Sequence, residues 1–159
     1  MQTLKIYLET TIFNFYVDED RGFAHADTVK LFKEIAAGKY EAYTSAYVLD
    51  ELEQAPVEKR DKMMSLITEY DVSVLTYSEE ASILANVYVA EGVIPPKCRT
   101  DGIHIAIAAV NELDMVVSMN FQHIVKRKTK VATGSINILK GYRAVEIYNP
   151  MEVVEDEND

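Results

Sequence analysis

The hydrophobic positions of the chain alternate between short apolar runs and longer stretches with a helical period. The apolar runs predict five strands, over 4–8, 40–45, 71–76, 115–118 and 144–148. Apolar residues three and four positions apart predict helices over 28–37, after Ser45, and over 56–69, 78–91, 100–113 and 135–141. Strands that alternate with helices are typical of parallel sheets covered on both faces. The predicted fold class is therefore α/β, a three-layer α/β/α sandwich with a mostly parallel central sheet.

Polar residues at the expected ends of these helices support the prediction. Asp27, Ser45, Ser78 and Thr100 each stand where a side-chain oxygen would accept a hydrogen bond from the first free backbone N–H groups. The Pro95-Pro96 pair predicts an extended loop before the helix that contains Asp101. The polar ends thus predict where four of the helices begin.

Composition limits the possible classes of protein. The chain has 159 residues, of which 48% are hydrophobic and 26% charged, so we expect one domain over 1–150 followed by an acidic tail over 151–159. A single cysteine excludes an internal disulfide. No apolar run has the length of a membrane span, and the first residues show a strand pattern instead of a secretory leader. We therefore expect a cytoplasmic protein with no membrane partner.

Charge is unevenly distributed along the chain. The formal net charge of −10 argues against a protein that coats nucleic acid by bulk attraction. The tail segment is rich in acids, and we expect it to be a solvated end. Four bases fall close together in a predicted loop, and they are candidates for contacts with RNA phosphates: Lys126, Arg127, Lys128 and Lys130.

Four polar side chains are candidates for chemistry because a parallel sheet would bring them to one edge. Glu9 ends the first strand, Glu51 lies on the helix after the second, Asp101 opens a helix, and Asn120 follows the fourth strand. Ligands bind at the carboxyl ends of such strands. Oxygen ligands without soft partners suit Mg²⁺ or Mn²⁺. Each residue also has a purely structural interpretation, since acids in a first helical turn complement the helix dipole and an Asn caps turns.

Taken in order, four segments resemble the PIN-domain family, most closely the VapC-type toxin endoribonucleases. Ile6–Thr11 is similar to the family's apolar strand followed by an acid and a Ser/Thr, and Thr44–Leu52 to its Ser-to-Glu-Leu segment. Asp101–Ala108 resembles the family's acid followed by an apolar, Ala-containing helix. Val117–Asn120 and the variant closing motif Asn120–Ile124 complete a resemblance that runs from Leu4 to about Pro150.

The resemblance implies a PIN-like fold and metal-assisted hydrolysis of RNA. Glu9, Glu51 and Asp101 would hold Mg²⁺ or Mn²⁺ directly or through water, and Asn120 would contact a metal-bound water or the phosphate. It also implies an RNA substrate, an antitoxin protein as partner, and a homodimer.

Two departures from the family pattern motivate a second hypothesis. Glu9 stands where the family usually has Asp, and Asn120 stands where a fourth Asp is more common. A PIN-fold module that binds nucleic acid or protein, with weak or no catalysis, is therefore the alternative. A phosphotransfer domain would need an Asp nucleophile after the first strand, and this chain has Glu9 there.

Several neighbouring residues keep two interpretations. His104, three residues after Asp101, is either a ligand or proton shuttle or a histidine packed at the edge of the core. Thr10 and Ser118 either orient ligands or satisfy backbone groups at strand ends. We expect His123 not to be catalytic, and Cys98 to be inert with no metal-ligand partner nearby.

Overall fold

The computed structural model describes residues 2–155 of the chain and contains one five-stranded sheet. Its strands are β1 (Leu4–Leu8), β2 (Tyr40–Ser45), β3 (Ser73–Leu75), β4 (Met115–Val117) and β5 (Glu146–Tyr148). The strand order is β3-β2-β1-β4-β5, and every neighbouring pair is parallel. The five predicted strands are confirmed, the last three of them shorter than predicted.

Helices cover the sheet in two groups. They are α1 (Thr10–Val17), α2 (Phe23–Ala36), α3 (Ala46–Leu52), α4 (Val57–Glu69), α5 (Glu79–Ala90), α6 (Arg99–Val110), α7 (Arg127–Leu139) and α8 (Pro150–Val153). In one group, α1 contacts α2 and α4, and α2 contacts α8; in the other, α5 contacts α6 and α7. The predicted three-layer α/β/α sandwich with a parallel central sheet is confirmed.

The core is centred on β1, β4 and α6. Ile6, Tyr7 and Leu8 have no exposed surface, and all three residues of β4 are buried. Helix α6 is buried from Gly102 to Ala109, which explains why its apolar residues occur all round the helix instead of on one stripe. Gly102 permits close packing, because a Cβ atom there would lie 3.0 Å from Ile94 Cδ1. The start of α6 is therefore held closely against the chain before it.

Two of the four predicted helix caps are confirmed. The Ser45 and Ser78 hydroxyls accept hydrogen bonds from the backbone N–H groups of Val48 and Ala81. The prediction that Asp27 caps a helix from Thr28 is wrong, since α2 already begins at Phe23 and Thr28 lies within it. The prediction for Thr100 is also wrong, because a 3₁₀ turn over Pro96–Cys98 leads directly into α6 at Arg99.

Two helical segments differ from the prediction. Helix α1 begins directly after Glu9, in a segment to which the sequence pattern assigned no helix. Helix α7 begins at Arg127, eight residues before the predicted start, so the basic residues are at a helix N-terminus and not in a loop. The buried residues of α7 include Thr129, Thr133 and Asn137, and a polar buried face gives no hydrophobic period.

The topology places a crevice between β1 and β4. From β1 the chain continues to β2 and β3 on one side of the sheet, and from β4 it continues to β5 on the other side. The connections therefore leave the β1–β4 pair in opposite directions. Ligands of open parallel sheets bind at such a switch point, outside the carboxyl ends of the strands. In the chain between residues 2 and 155, no helix has both the length and the apolar character needed to cross a membrane.

The segment predicted as an acidic tail is only partly described. Its first residues belong to α8, and Tyr40 donates a hydrogen bond to the carbonyl of Val153. Glu155 lies 2.7 Å from the Lys39 ammonium. Residues 156–159, which hold three of the five acidic residues of the predicted tail, lie outside the described residues.

Candidate active site

Glu9 ends β1 and is also the N-cap of α1. Its Oε1 accepts hydrogen bonds from the Thr11 backbone N–H at 3.1 Å and from the Ser118 hydroxyl at 2.8 Å, as well as from the Thr11 hydroxyl. The side chain is buried, and a buried polar group without hydrogen-bond partners is costly, so these donors stabilise its position. The Thr11 hydroxyl in turn accepts from the Met119 N–H, so Glu9 is fixed between the ends of β1 and β4.

Glu51 points from α3 toward the same edge of the sheet. Its Oε1 accepts from the Thr10 hydroxyl at 2.7 Å and lies 2.8 Å from His104 Nε2. Burial opposes ionisation of Glu51, but the hydrogen bond and charge of His104 and the hydrogen bond from Thr10 outweigh it and lower the pKa of the carboxyl. Glu51 is therefore an ionised, oriented carboxylate.

His104 is held from both sides. Its Nδ1 lies 2.7 Å from the Tyr7 hydroxyl, which is itself 2.8 Å from the Ser45 hydroxyl. Burial raises the pKa of Tyr7 well above its ordinary value, so Tyr7 keeps its proton. His104 Nε2–H donates to Glu51 Oε1, and either direction of the hydrogen bond between Nδ1 and Tyr7 leaves both ring nitrogens paired. Both ring nitrogens are engaged, so His104 positions Glu51 and does not offer a free ligand atom.

Asn120 joins Asp101 to the end of β4. Its Nδ2 donates to Asp101 Oδ1 at 3.1 Å, and its own Oδ1 accepts from the His123 backbone N–H at 3.1 Å. Burial raises the pKa of Asp101 and the carboxylates of Glu9 and Glu51 raise it further, against the opposing effect of the two nearby histidines. The backbone N–H of Asn120 donates to the Ser118 hydroxyl, which itself donates to Glu9, so Asn120 links Asp101 to the end of the sheet where Glu9 lies.

These three carboxylates share one feature. In each, one oxygen accepts all the hydrogen bonds described above, and the second has no protein donor within residues 2–155. Their second oxygens are not among the fully buried unpaired atoms of that range, so they reach solvent. No lysine or arginine in the same range pairs with any of the three. The result is a group of oriented candidate oxygen ligands in which only Glu51 has an ion-pair partner, His104, within residues 2–155.

The three carboxylates are too widely spaced for all of them to bind one ion directly. Octahedral Mg²⁺ has oxygen ligands at about 2.0–2.1 Å, which places two ligands at most about 4.2 Å apart. In the described chain, Glu9, Glu51 and Asp101 do not form a group whose ligand atoms all lie within 4.8 Å of one another. One or two carboxylates would therefore bind the ion directly and the others through water, as Mg²⁺ commonly does.

A second group of side chains adjoins Asp101, and it corrects the prediction for Cys98. Ligand atoms of Cys98, Asp101 and His123 all lie within 4.8 Å of one another, with Cys98 Sγ 3.7 Å from His123 Nδ1. The expectation that Cys98 has no metal-ligand partner nearby is wrong. The segment after β4 folds back over the start of α6 and brings His123 to it, a contact across 25 positions of sequence that spacing along the chain does not reveal.

The basic residues lie at the N-terminus of α7. Lys126 is the N-cap, and Arg127 and Lys128 are exposed in the first turn. Lys130 lies over the ring of Tyr148, 5.4 Å from its centroid. Lys126 and Lys128 also line a cavity of about 230 Å³ together with Cys98 and His123. Two residues of the basic cluster thus share a cavity with Cys98 and His123.

Sequence reasoning missed several of the residues that hold the carboxylates in place. Tyr7 reads as one more apolar position of a buried strand, and Ser45 was recognised only as a helix cap. Thr11 carries no signal beyond its position two residues after Glu9. Thr10 and Ser118 were considered, and the structure shows that both donate to a site carboxylate.

Comparison with known proteins supports the fold. No protein-family model and no curated protein matches the chain. Among solved structures, the chain is similar to one chain of the crystal structure of VapBC2 from Rickettsia felis bound to a DNA fragment from their promoter, with a TM-score of 0.56. The sequences are 12% identical, and the alignment covers 92% of this chain and 98% of that chain. The shared feature is the fold, a PIN-like α/β/α sandwich.

Proposed function

We propose that this protein is a metal-dependent endoribonuclease that hydrolyses RNA phosphodiester bonds with Mg²⁺ or Mn²⁺. The observation that carries the proposal is the group formed by Glu9, Glu51 and Asp101, in which each carboxylate presents one oxygen that has no donor within residues 2–155. Hard oxygen ligands of this kind suit Mg²⁺ and Mn²⁺. The PIN-like fold and the position of the group at the switch point of the sheet support the same function.

The residues of the chain have separate roles in this proposal. Glu9, Glu51 and Asp101 hold the ion, and a bound ion would supply the positive charge that activates a water and stabilises the phosphoryl oxygens. Asn120 keeps Asp101 oriented through its amide N–H. His104 keeps Glu51 oriented and excludes water from the base of the site, because it is buried against Tyr7.

The basic cluster would bind the RNA on either side of the cleaved bond. Lys126, Arg127 and Lys128 place positive charge at the N-terminus of α7, where the helix dipole is also positive. The basic side chains and the positive end of the helix dipole repel one another. An anion bound beside them would offset this repulsion. RNA phosphates are such anions, and their contacts position the strand without selecting sequence. Lys130 lies over Tyr148 and would extend the same positive surface.

We infer a protein partner as well. The similar chain belongs to a complex named VapBC2 that is bound to DNA from its promoter. By analogy, this chain would pair with an antitoxin and form a homodimer. Co-expression with the product of the neighbouring reading frame tests this: a stable complex that no longer cleaves RNA supports the pairing, and two proteins that purify separately contradict it.

Cleavage of a mixed RNA pool in the presence of Mn²⁺ tests the catalytic proposal. The wild-type protein should cleave, and Asp101→Asn should lose nearly all activity because it removes one unit of ligand charge while keeping shape. Asp61→Asn is the matched control, since it makes the same chemical change at an exposed carboxylate whose ion-pair partner is Arg60. Equal cleavage by wild type and Asp101→Asn would indicate a contaminating nuclease and contradict the proposal.

Metal binding separates the nuclease from the alternative function as a binding module. The departures at Glu9 and Asn120 favour that alternative, because Asn120 supplies no fourth charge. Mn²⁺ at one hundred times its Kd should stabilise a nuclease by about 2.7 kcal/mol. A protein that binds RNA yet shows no change of Tm with Mn²⁺ and no cleavage would be a binding module.

A further inference from the structure

Cys98, Asp101 and His123 form a compact group with three different ligand types. Cys98 precedes the first residue of α6, Asp101 lies in its first turn, and His123 follows β4. His123 is fixed by two backbone hydrogen bonds: its N–H donates to Asn120 Oδ1, and its carbonyl accepts from the Thr129 hydroxyl. The group is therefore built on two anchored segments, and its ligand atoms converge without any rearrangement of the backbone.

The spacing of the ligand atoms matches a tetrahedral ion. Zn²⁺ has ligand bonds of about 2.3 Å to sulfur and about 2.0–2.1 Å to histidine nitrogen, so a tetrahedral angle places the two ligand atoms about 3.6 Å apart. Cys98 Sγ and His123 Nδ1 are 3.7 Å apart. The Asp101 oxygen lies within 4.8 Å of both, so a shift of roughly 1 Å in its carboxylate completes three corners of a tetrahedron.

The chemistry of the ligands selects the ion. A thiolate and an imidazole favour Zn²⁺ over Mg²⁺ or Mn²⁺, which prefer oxygen ligands. Glu9 and Glu51 supply only oxygen, and neither belongs to the group formed by Cys98, Asp101 and His123. Two adjacent sites with different preferences thus share one carboxylate.

The site has an entry path and an open coordination position. Cys98 and His123 line the cavity of about 230 Å³ that also contains Lys126 and Lys128. Three protein ligands leave the fourth tetrahedral position for water or another small ligand.

We propose that Cys98, Asp101 and His123 bind a thiolate-preferring divalent ion, Zn²⁺, and that this ion withdraws Asp101 from the Mg²⁺ or Mn²⁺ group. The second part rests on the proposed nuclease function; the first part does not. Zn²⁺ at this site is then an inhibitor of the nuclease, and relief of inhibition requires its removal. A direct competition for one ligand is the physical basis, since an Asp101 oxygen bound to Zn²⁺ contributes less charge to a second ion.

Titration of the reduced, metal-free protein with Co²⁺ tests the site directly. Co²⁺ bound to a thiolate gives a sulfur-to-cobalt charge-transfer band, and Cys98 is the single cysteine of the chain, so the band reports this site. We expect the band to reach full intensity at one bound Co²⁺ per chain. Adding an equal amount of Zn²⁺ should remove the band, because Zn²⁺ displaces Co²⁺. Absence of the band at saturating Co²⁺ would overturn the proposal.

Variants assign the ligands. Cys98→Ser should abolish the band, and His123→Gln should weaken Co²⁺ binding by more than the roughly 10–100-fold that loss of an outer-shell partner costs. Glu51→Gln is the control, because it alters the carboxylate group without touching the proposed ligands and should leave the band unchanged. A Tm measurement on each variant confirms that it is folded. Unchanged Co²⁺ affinity in His123→Gln would contradict the assignment.

Cleavage assays test the inhibition separately. Zn²⁺ should inhibit the Mn²⁺-supported activity of the wild-type protein, while Cys98→Ser should cleave normally and resist the same Zn²⁺ concentration. Equal inhibition of both proteins would overturn the inhibitory role. If no preparation cleaves RNA, the proposed nuclease function fails, and the cobalt spectrum still decides whether the metal site exists.

Discussion

Replacing Tyr7 with Phe removes one buried oxygen on which the orientation of Glu51 depends. The Tyr7 hydroxyl lies 2.7 Å from His104 Nδ1 and 2.8 Å from the Ser45 hydroxyl, and the residue has no exposed surface. Phe keeps the ring and its packing, so the change is confined to these two hydrogen bonds. Ser45 still accepts from the Val48 N–H, whereas His104 Nδ1 is left without a partner.

The expected cost follows from that one unpaired atom. A buried polar group without a partner costs about 1–3 kcal/mol. For a chain of this size, each 1 kcal/mol lowers Tm by about 2–4 °C, so Tyr7→Phe should lower Tm by about 2–12 °C. The His104 ring also loses its support on the side away from Glu51. Residues that contact a metal ligand contribute about 10–100-fold to metal affinity, and Tyr7 acts through such a residue, so Mn²⁺ should bind more weakly by at most about that factor.

Thermal unfolding and calorimetric titration with Mn²⁺ measure the two effects. Tyr43→Phe is the matched control: Tyr43 is the register partner of Tyr7 in the neighbouring strand, and its hydroxyl donates to the exposed Glu41. We expect its free energy of unfolding to change by less than about 0.5 kcal/mol, as for other surface substitutions. If Tyr7→Phe were as stable as Tyr43→Phe and bound Mn²⁺ equally well, the chain from Tyr7 through His104 to Glu51 would not position the site, and the reasoning would be refuted.

Three further predictions concern charge. Because the pKa of Asp101 is raised by burial and by Glu9 and Glu51, the metal-free protein should lose stability as pH rises through that pKa. Asp101→Asn should remove this loss, so urea unfolding from pH 4 to 7 should show a smaller decline for the variant, and parallel curves would contradict the assignment. Asn120→Asp adds a fourth carboxylate and should tighten Mn²⁺ binding in calorimetry; weaker binding would show that the amide N–H to Asp101 matters more than charge. Lys128→Ala should weaken RNA binding and reduce the slope of log K against log salt by about 1, and an unchanged slope would exclude a phosphate contact.

The sequence predicted most of the fold because its signals are local. The strand at Leu4–Leu8 and the helix start at Ser78 follow from alternation and from one capping hydroxyl. Helix α1 was missed because Glu9, its N-cap, is not a usual capping residue, and β-branched and aromatic residues dominate the segment. Its helical conformation depends on the contacts of α1 with α2 and α4, which override the weak local propensity.

The sequence indicated the candidate carboxylates but not most of the residues that hold them. Glu9, Glu51 and Asp101 were identified because the ends of parallel strands meet at one edge, a rule that needs only the order of elements. The partners of those carboxylates depend on side-chain contacts across many positions. Tyr7 and His104 are 97 positions apart, and Ser118 and Glu9 are 109 apart. The pattern of apolar residues within one segment gives no information on contacts between residues this far apart in the sequence.

The choice of supporting residues explains how the carboxylates are kept available for a cation. Hydroxyl groups of Thr10, Thr11 and Ser118 orient Glu9 and Glu51 without adding a permanent positive charge. A lysine 4 Å from one of these carboxylates would interact with it by about 4 kcal/mol at an effective dielectric constant of about 20. An incoming ion would have to replace that interaction, and since about 1.4 kcal/mol corresponds to a tenfold change in Kd, its affinity would fall by a factor of roughly one thousand. Around Glu9, neutral donors fix the geometry of the carboxylate and add no positive charge, a condition that favours a metal ion at this edge of the sheet.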